Sequence, residues 1–235
     1  MNLLKISSLA VVLELFSMSS KASEPETVEV PLIKAFVPIG FDDNDRAQAM
    51  VTGILPDTCY RVGPYQTDID VVKKTVSVRQ MAYHYPGICL DVIIPFAQVT
   101  EWGMLKDGNY KVFDSVSGKM LGQMPINRAK VSEADDYLYA PVADAFIREA
   151  GGKHLLSLNG AFSTRCMKLK EVKIHYYPEV VVVQPIAEML ESRDCKTEKV
   201  RFQYEAPLKE GLNGTALLHV RSIDGQAINK LVEFP

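Results

Sequence analysis

Asp42-Asp43-Asn44-Asp45 places three carboxylates and an amide in four consecutive positions. Oxygen donors at that density could serve Ca²⁺, a hard cation that takes about 6–8 oxygen ligands. The run lacks the alternate-residue spacing and central glycine of a calcium loop. A solvated acidic turn after Gly40-Phe41, with Asp or Asn capping the next segment, competes with the metal reading. Calcium on these four residues is the one cofactor the sequence suggests.

Four cysteines are the second chemical feature. Cys59 and Cys89 stand 30 residues apart, Cys166 and Cys195 stand 29 apart, and the pairs are offset by 107 and 106 residues. There is no Cys-x-x-Cys and no His at ligand spacing from a cysteine, which argues against zinc. An even count favours disulfides, for which four cysteines allow three connectivities. If the two stretches are copies of one module, Cys59–Cys89 and Cys166–Cys195 is the pairing each copy makes alone. Each bridge would close a loop of about 30 residues and contribute about 3–4 kcal/mol.

Other residues carry weaker signals. His84, His154, His175 and His219 show no i+2 or i+4 pairing, and no Gly-x-Ser-x-Gly elbow is present, so no catalytic residue is assigned. Tyr83, His84 and Tyr85, before Pro86, form a candidate binding loop over residues 82–87. Residues 40–45 form a second exposed loop. Asp68 and Asp70 fit the polar face of a strand. Trp102, the sole tryptophan, reads as core. Asn213-Gly-Thr215 is a formal glycosylation sequon that reads as a turn.

The elements that must position these residues repeat. Gly53 and Gly160 each precede a cysteine by six residues. Leu105-Lys-Asp-Gly108 matches Leu208-Lys-Glu-Gly211, and Ser115-Val-Ser-Gly118 matches Ser222-Ile-Asp-Gly225. These matches fall in order on one period of about a hundred residues, the signature of a duplicated unit. The predicted organisation is a module over 28–126, a polar linker over 127–136 and a module over 137–235.

Within each copy the apolar pattern has period two. Strands are expected at 28–37, 47–55, 69–78, 88–96 and 110–116, then at 139–147, 155–162, 172–177, 180–184, 199–204, 216–222 and 228–234. Val180-Val-Val-Val183 reads as buried. One short helix is expected over 186–192. Glycine at Ser117-Gly118 and Asp224-Gly225 suits tight hairpins. The fold class is therefore all-β: two tandem antiparallel β-sandwich domains, immunoglobulin-like in architecture, with one disulfide each.

Residues 1–22 read as an export signal: Lys5, a short apolar core from Leu9 to Phe16, and small residues at Ser20 and Ala22. That core is shorter than the roughly 20 residues a membrane span needs. The expected destination is the periplasm or the extracellular space, which suits disulfides. The chain carries a net charge of −3; residues 28–128 hold 10 basic and 11 acidic groups, and residues 135–235 hold 13 and 14. Neither copy has the basic excess of a nucleic-acid binder.

Gly40-Phe-Asp-Asp-Asn-Asp45, Gly53-Ile-Leu-Pro-Asp-Thr-Cys-Tyr60, Cys89 with Pro95-Phe96, and Gly108-Asn-Tyr-Lys-Val112 resemble a group of uncharacterised exported bacterial proteins with tandem disulfide-containing β-sandwich modules. The second copy departs from that pattern, with Ser163 for the proline and Arg148-Glu-Ala-Gly-Gly152 for the acidic run. The resemblance implies fold and export and no activity. The expected role is a non-enzymatic binding or structural module with a protein or envelope component as partner. An envelope-polymer hydrolase or accessory domain is one alternative, and a protease inhibitor is another.

Overall fold

The computed structural model describes residues 24–132, 135–191 and 195–235. The predicted export signal lies outside them. Sixteen strands and a single 3-10 turn at Ile223–Gly225 make up the regular structure of the described residues. Helix is otherwise absent among them because β-branched and aromatic residues alternate through nearly every segment.

The N-terminal half contributes two sheets. One holds β1 (Glu26–Val30), β3 (Phe41–Asp42), β5 (Tyr60–Asp70), β6 (Thr75–His84), β8 (Gly108–Asp114) and β9 (Met120–Asn127), in the order β1-β6-β8-β9-β3 with β5 also on β6. The other is β2 (Leu32–Phe36), β4 (Ala47–Leu55) and β7 (Ile94–Gly103), in the order β2-β4-β7. Pro31 separates β1 from β2; without an N–H it cannot extend a ladder, and the chain changes sheet there. Trp102, Tyr110, Met124, Val51, Val76 and Val78 fill the core between the sheets, so the single tryptophan is a core residue as expected.

The C-terminal half shares that plan without counterparts of β1 and β3. β12 (Met167–Tyr177), β13 (Val180–Met189), β15 (Gly214–Arg221) and β16 (Ala227–Phe234) form one sheet in that order. β10 (Val142–Ala150), β11 (Lys153–Thr164) and β14 (Thr197–Pro207) form the other. β13 and β15 run parallel, as do β6 and β8, while their outer neighbours are antiparallel. Leu156, Leu158, Val181, Val183, Leu218 and Val220 form the core. Asp224 (φ 61°) and Gly225 (φ 67°) close the β15–β16 hairpin with both central residues left-handed, the geometry a two-residue hairpin turn favours.

One local device recurs in both halves. Gly53 on β4 faces Phe96 on β7, and Gly160 on β11 faces Phe202 on β14. In each case the ring lies over the glycine, and a methyl there would strike both the ring and a backbone carbonyl, of Pro31 or Pro141. An aromatic thus covers a glycine across the strands.

The halves meet through a third apolar cluster. Phe36 and Met50 of the N-terminal half pack with Val180, Val182 and Leu217 of the C-terminal half. The outer face of the β2-β4-β7 sheet therefore rests on the outer face of the β12-β13-β15-β16 sheet, and β4, β13 and β15 are buried on both faces. Val180–Val183 is buried as the sequence implied.

Three expectations are corrected. The stretch 69–78 is not one strand: β5 ends at Asp70, and residues 71–74 turn into β6, with Lys74 at φ 54°. Asp70 caps that turn by accepting from the N–H groups of Val72 and Lys73. Residues 186–189 are strand, not helix, because β13 continues to Met189 against Met167 of β12; Ser192 lies outside the described residues. Residues 88–93 are not strand, since β7 begins only at Ile94.

Candidate functional site

The acidic run proves to be a clamp. Phe41 and Asp42 pair in parallel with Ile126 and Asn127 of β9. The chain then turns tightly, with the Asp45 N–H donating to the Asp42 carbonyl at 3.0 Å and the Asp42 N–H donating to Asp45 Oδ2 at 2.9 Å. Asp43 Oδ1 accepts from the Ala129 N–H at 2.8 Å, and Asn44 Nδ2 donates to the Val131 carbonyl at 3.2 Å. The run thus fastens the 128–132 segment. It is not the exposed loop expected, because Phe41 and Asp45 are buried.

Asp45 is buried because it has a buried partner. Arg221, at the end of β15, donates through Nη1 to Asp45 Oδ2 at 3.2 Å and to Tyr139 Oη at 3.4 Å, and through Nη2 to the Gly40 carbonyl. Its guanidinium lies 5.0 Å from the Phe41 ring centre and 5.8 Å from that of Tyr139, within cation–π reach. A cation on Asp45 would have to displace this guanidinium. Burial raises the Asp42 carboxyl above its ordinary value, and repulsion from Asp136 and Asp45 adds to it.

His219, two residues before Arg221 on the same strand face, extends the seam. Its Nδ1 meets Asn229 Oδ1 at 2.7 Å, and Asn229 Nδ2 donates to Gln48 Oε1 at 2.7 Å, which ties β16 to β4. Burial holds the imidazole pKa down at about 4; the Asn229 bond opposes this and Arg221 adds to it. Burial, with repulsion from Asp45, pushes Asp135 up to about 6 against the pull of Arg221. Tyr139 rises to about 12, also through burial. His219, Asp135, Asp45 and Arg221 line a cavity of about 10 Å³, at the limit of what a single water needs. The seam can lock two sheets together; it has no room for a substrate.

Both cysteine pairs are bridged as the repeat implied, Cys59 to Cys89 and Cys166 to Cys195, with Cα atoms 5.3 Å and 5.2 Å apart. Asp57, Cys59 and Cys89 are the only His/Cys/Asp/Glu trio at metal-binding spacing among the described residues. Both sulfurs are in the disulfide, and Asp57 Oδ1 accepts from the Cys59 N–H at 2.7 Å.

The first bridge holds a second candidate surface. Tyr83 and His84 lie on β6, so the first half of residues 82–87 is strand end, and His84 stacks on Tyr60 at 4.5 Å. Only Tyr85 of the three predicted loop residues stands beyond the strand, and it is exposed. From it the chain runs through residues 85–93 without regular structure. The Tyr85 N–H donates to the Cys59 carbonyl, the Thr58 N–H to the Leu90 carbonyl, and the Leu90 N–H to Thr58 Oγ1. Four large apolar side chains project from this pinned segment: Ile88 (101% exposed), Leu90 (66%), Val92 (54%) and Ile93 (64%).

Sequence reasoning missed Arg221, His219, Tyr139, Asn229 and Gln48 as one site. Their signal was weak: a His and an Arg at the end of the apolar run Ala216-Leu-Leu-His-Val-Arg221. The run has no polar face, which is what a strand buried on both sides requires.

The comparisons with known proteins bear on fold. Residues 49–113 match the model of the ORF11 beta-sandwich domain. That segment runs from β4 into β8 and includes Cys59 and Cys89. No curated protein and no solved structure matches the chain. The likeness is to a β-sandwich domain and carries no activity.

Proposed function

We propose that this chain is an exported, non-enzymatic binding module of the bacterial envelope or extracellular space, which docks a protein partner through the apolar loop at Cys89. The observation that carries the reading is the exposure of Ile88, Leu90, Val92 and Ile93 on a segment pinned by a disulfide and two bonds to Thr58. Ordered apolar side chains on a convex loop lose little conformational entropy when they enter a partner's cleft. Asp91 sits among them and no lysine or arginine lies within residues 83–93, which disfavours an anionic membrane.

Two tandem sandwiches, 28–126 and 137–235 with 127–136 between them, are the architecture we infer. The shared orders β5-β6-β8-β9 and β12-β13-β15-β16, and β2-β4-β7 and β10-β11-β14, with the matched parallel pairs and the repeated glycine–phenylalanine device, support a duplication. Export is supported by residues 1–22 and by two disulfides.

Protease inhibition is the second reading, and the same loop favours it, because a bridge at Cys89 braces an exposed segment. The Val92 N–H, however, donates to the Leu90 carbonyl at 2.8 Å, which bends the chain where an inhibitor would be extended. A hydrolase is not favoured by the seam, whose titratable groups enclose no usable volume.

The test is capture from envelope extract by the immobilised protein and by a variant carrying Ile88→Ser, Leu90→Ser and Val92→Ser. A partner held by the parent and lost by the variant, at unchanged melting temperature, is expected. Turnover of an envelope polymer by a protein that captures nothing would sink the proposal. Stoichiometric inhibition within a protease panel would favour the second reading.

A further inference from the structure

A shallow groove of about 880 Å³ opens in the C-terminal half, between β14, the middle of β11 and the β15–β16 turn. Lys199, Arg201 and Gln203 alternate along β14 and so share one face, with the two cations about 7 Å apart at the usual strand rise. Asn159 pairs directly with Gln203 and adds its amide to that face, and Gln226 supplies another from the turn. Phe202, between the cations, packs on Phe162 with ring centres 5.0 Å apart and also borders the groove.

Charge pairing on this sheet is uneven. Arg148 is bound to Glu205, and Arg165 to Glu198. Lys199 and Arg201 have no counter-ion among the described residues, and the amides of Asn159, Gln203 and Gln226 have no side-chain partner there. A half with a small net negative charge therefore gathers two free cations and three free amides in one concavity. The described residues of the N-terminal half hold no such set at the equivalent positions. Aligned through Gly53–Phe96 and Gly160–Phe202, its counterparts of Arg201, Gln203 and Asn159 are Pro95, Ala97 and Thr52.

We propose that this groove binds an acidic polysaccharide, a glycan chain bearing carboxylates. Guanidinium and ammonium groups would pair with the carboxylates through charge-assisted hydrogen bonds. The amides, each a donor and an acceptor, would bond sugar hydroxyls directly or through water. A shallow open trough suits an extended chain better than an enclosed small molecule. The large apolar residues that line it, Val142, Phe202 and Ile223, are buried or half-buried, so it offers less to the apolar side chains of an acidic peptide than to sugar hydroxyls and carboxylates. The site is separate from the Cys89 loop and does not depend on that reading.

The probe is polygalacturonate, with neutral dextran and poly-glutamate as comparisons, titrated against the folded full protein at low salt. Lys199→Gln with Arg201→Gln should weaken polygalacturonate binding at least tenfold. Lys106→Gln with Lys111→Gln, the same charge loss in the other half, should change it less than twofold. All four positions are exposed, so melting temperature should not move. Binding should also fall as salt rises, because exposed charges are screened. Absence of polygalacturonate binding, equal loss in both double variants, equal binding to dextran, or tighter binding to poly-glutamate would each overturn the proposal.

Discussion

Residues 85–93, between β6 and β7, and residues 190–196, between β13 and β14, occupy equivalent places in the two halves. Each connection holds a cysteine bridged to the turn after the glycine-bearing strand. Their content differs. The first reads Tyr-Pro-Gly-Ile-Cys-Leu-Asp-Val-Ile and exposes its aliphatic side chains; the second reads Leu-Glu-Ser-Arg-Asp-Cys-Lys. An identical covalent staple thus supports one connection suited to apolar recognition and one that is polar. The bridge belongs to the fold, and the residues around it carry whatever the connection does.

The seam contributes a different kind of asymmetry, because each half supplies what the other lacks. Arg221 comes from β15 and its carboxylate from the Asp45 turn. Removing one member of a buried ion pair leaves an uncompensated charge. Arg221→Met should therefore be the most damaging single change, costing about 3–5 kcal/mol by denaturant unfolding. Asp45→Asn with Arg221→Met should recover much of that loss. A double variant no better than the single would show that Arg221 acts through contacts other than Asp45.

The bridges come next. Replacing either cysteine pair by alanine should cost about 3–4 kcal/mol, nearly alike for loops of 30 and 29 residues. Partner capture should separate them: loss of Cys59–Cys89 abolishes it, and loss of Cys166–Cys195 leaves it intact in protein that remains folded. Equal effects on capture would erase the functional difference between the two connections.

Symmetry of the scaffold is tested by Gly53→Ala and Gly160→Ala. Each inserts a methyl under a phenylalanine ring and against a carbonyl, so each should cost about 1–3 kcal/mol, the range for overpacked cores. A large loss at one position and none at the other would mean that the halves are packed differently although β2-β4-β7 and β10-β11-β14 share one order.

The smallest expected effect is on pH dependence. His219 has a folded pKa lowered to about 4, so its contribution is complete above the unfolded value near 6.5 and is lost as pH falls toward 4. Asp135 is raised to about 6, so its contribution is present below the unfolded value near 3.9 and is lost as pH rises through 6. Between pH 4 and 6 the two oppose each other. Asp135→Asn should raise the melting temperature modestly at pH 7, bring no gain at pH 4, and steepen the loss between. A parallel shift at every pH would deny Asp135 its raised pKa.

Much of this scaffold was legible because strand physics is local. β4 runs over 47–55 as read, and the Asp224-Gly225 turn follows from the tolerance of those residues for positive φ. The β5–β6 turn was hidden because Val71-Val-Lys-Lys74 contains neither glycine nor proline, and Lys74 takes a left-handed conformation unaided by its residue type. Residues 88–93 misled for the opposite reason. Their aliphatic content resembles a strand, yet the disulfide and the bonds to Thr58 hold them off the sheet. The seam was illegible because its partners lie some 176 residues apart and only packing of one sheet face on another brings Arg221 to Asp45.

The most direct test of the central claim is amide hydrogen exchange on the protein with and without its captured partner. Exchange should slow at residues 88–93 on binding and remain unchanged at residues 190–196. Protection confined to the second connection, or to neither, would contradict the assignment of the Cys89 loop as the docking surface.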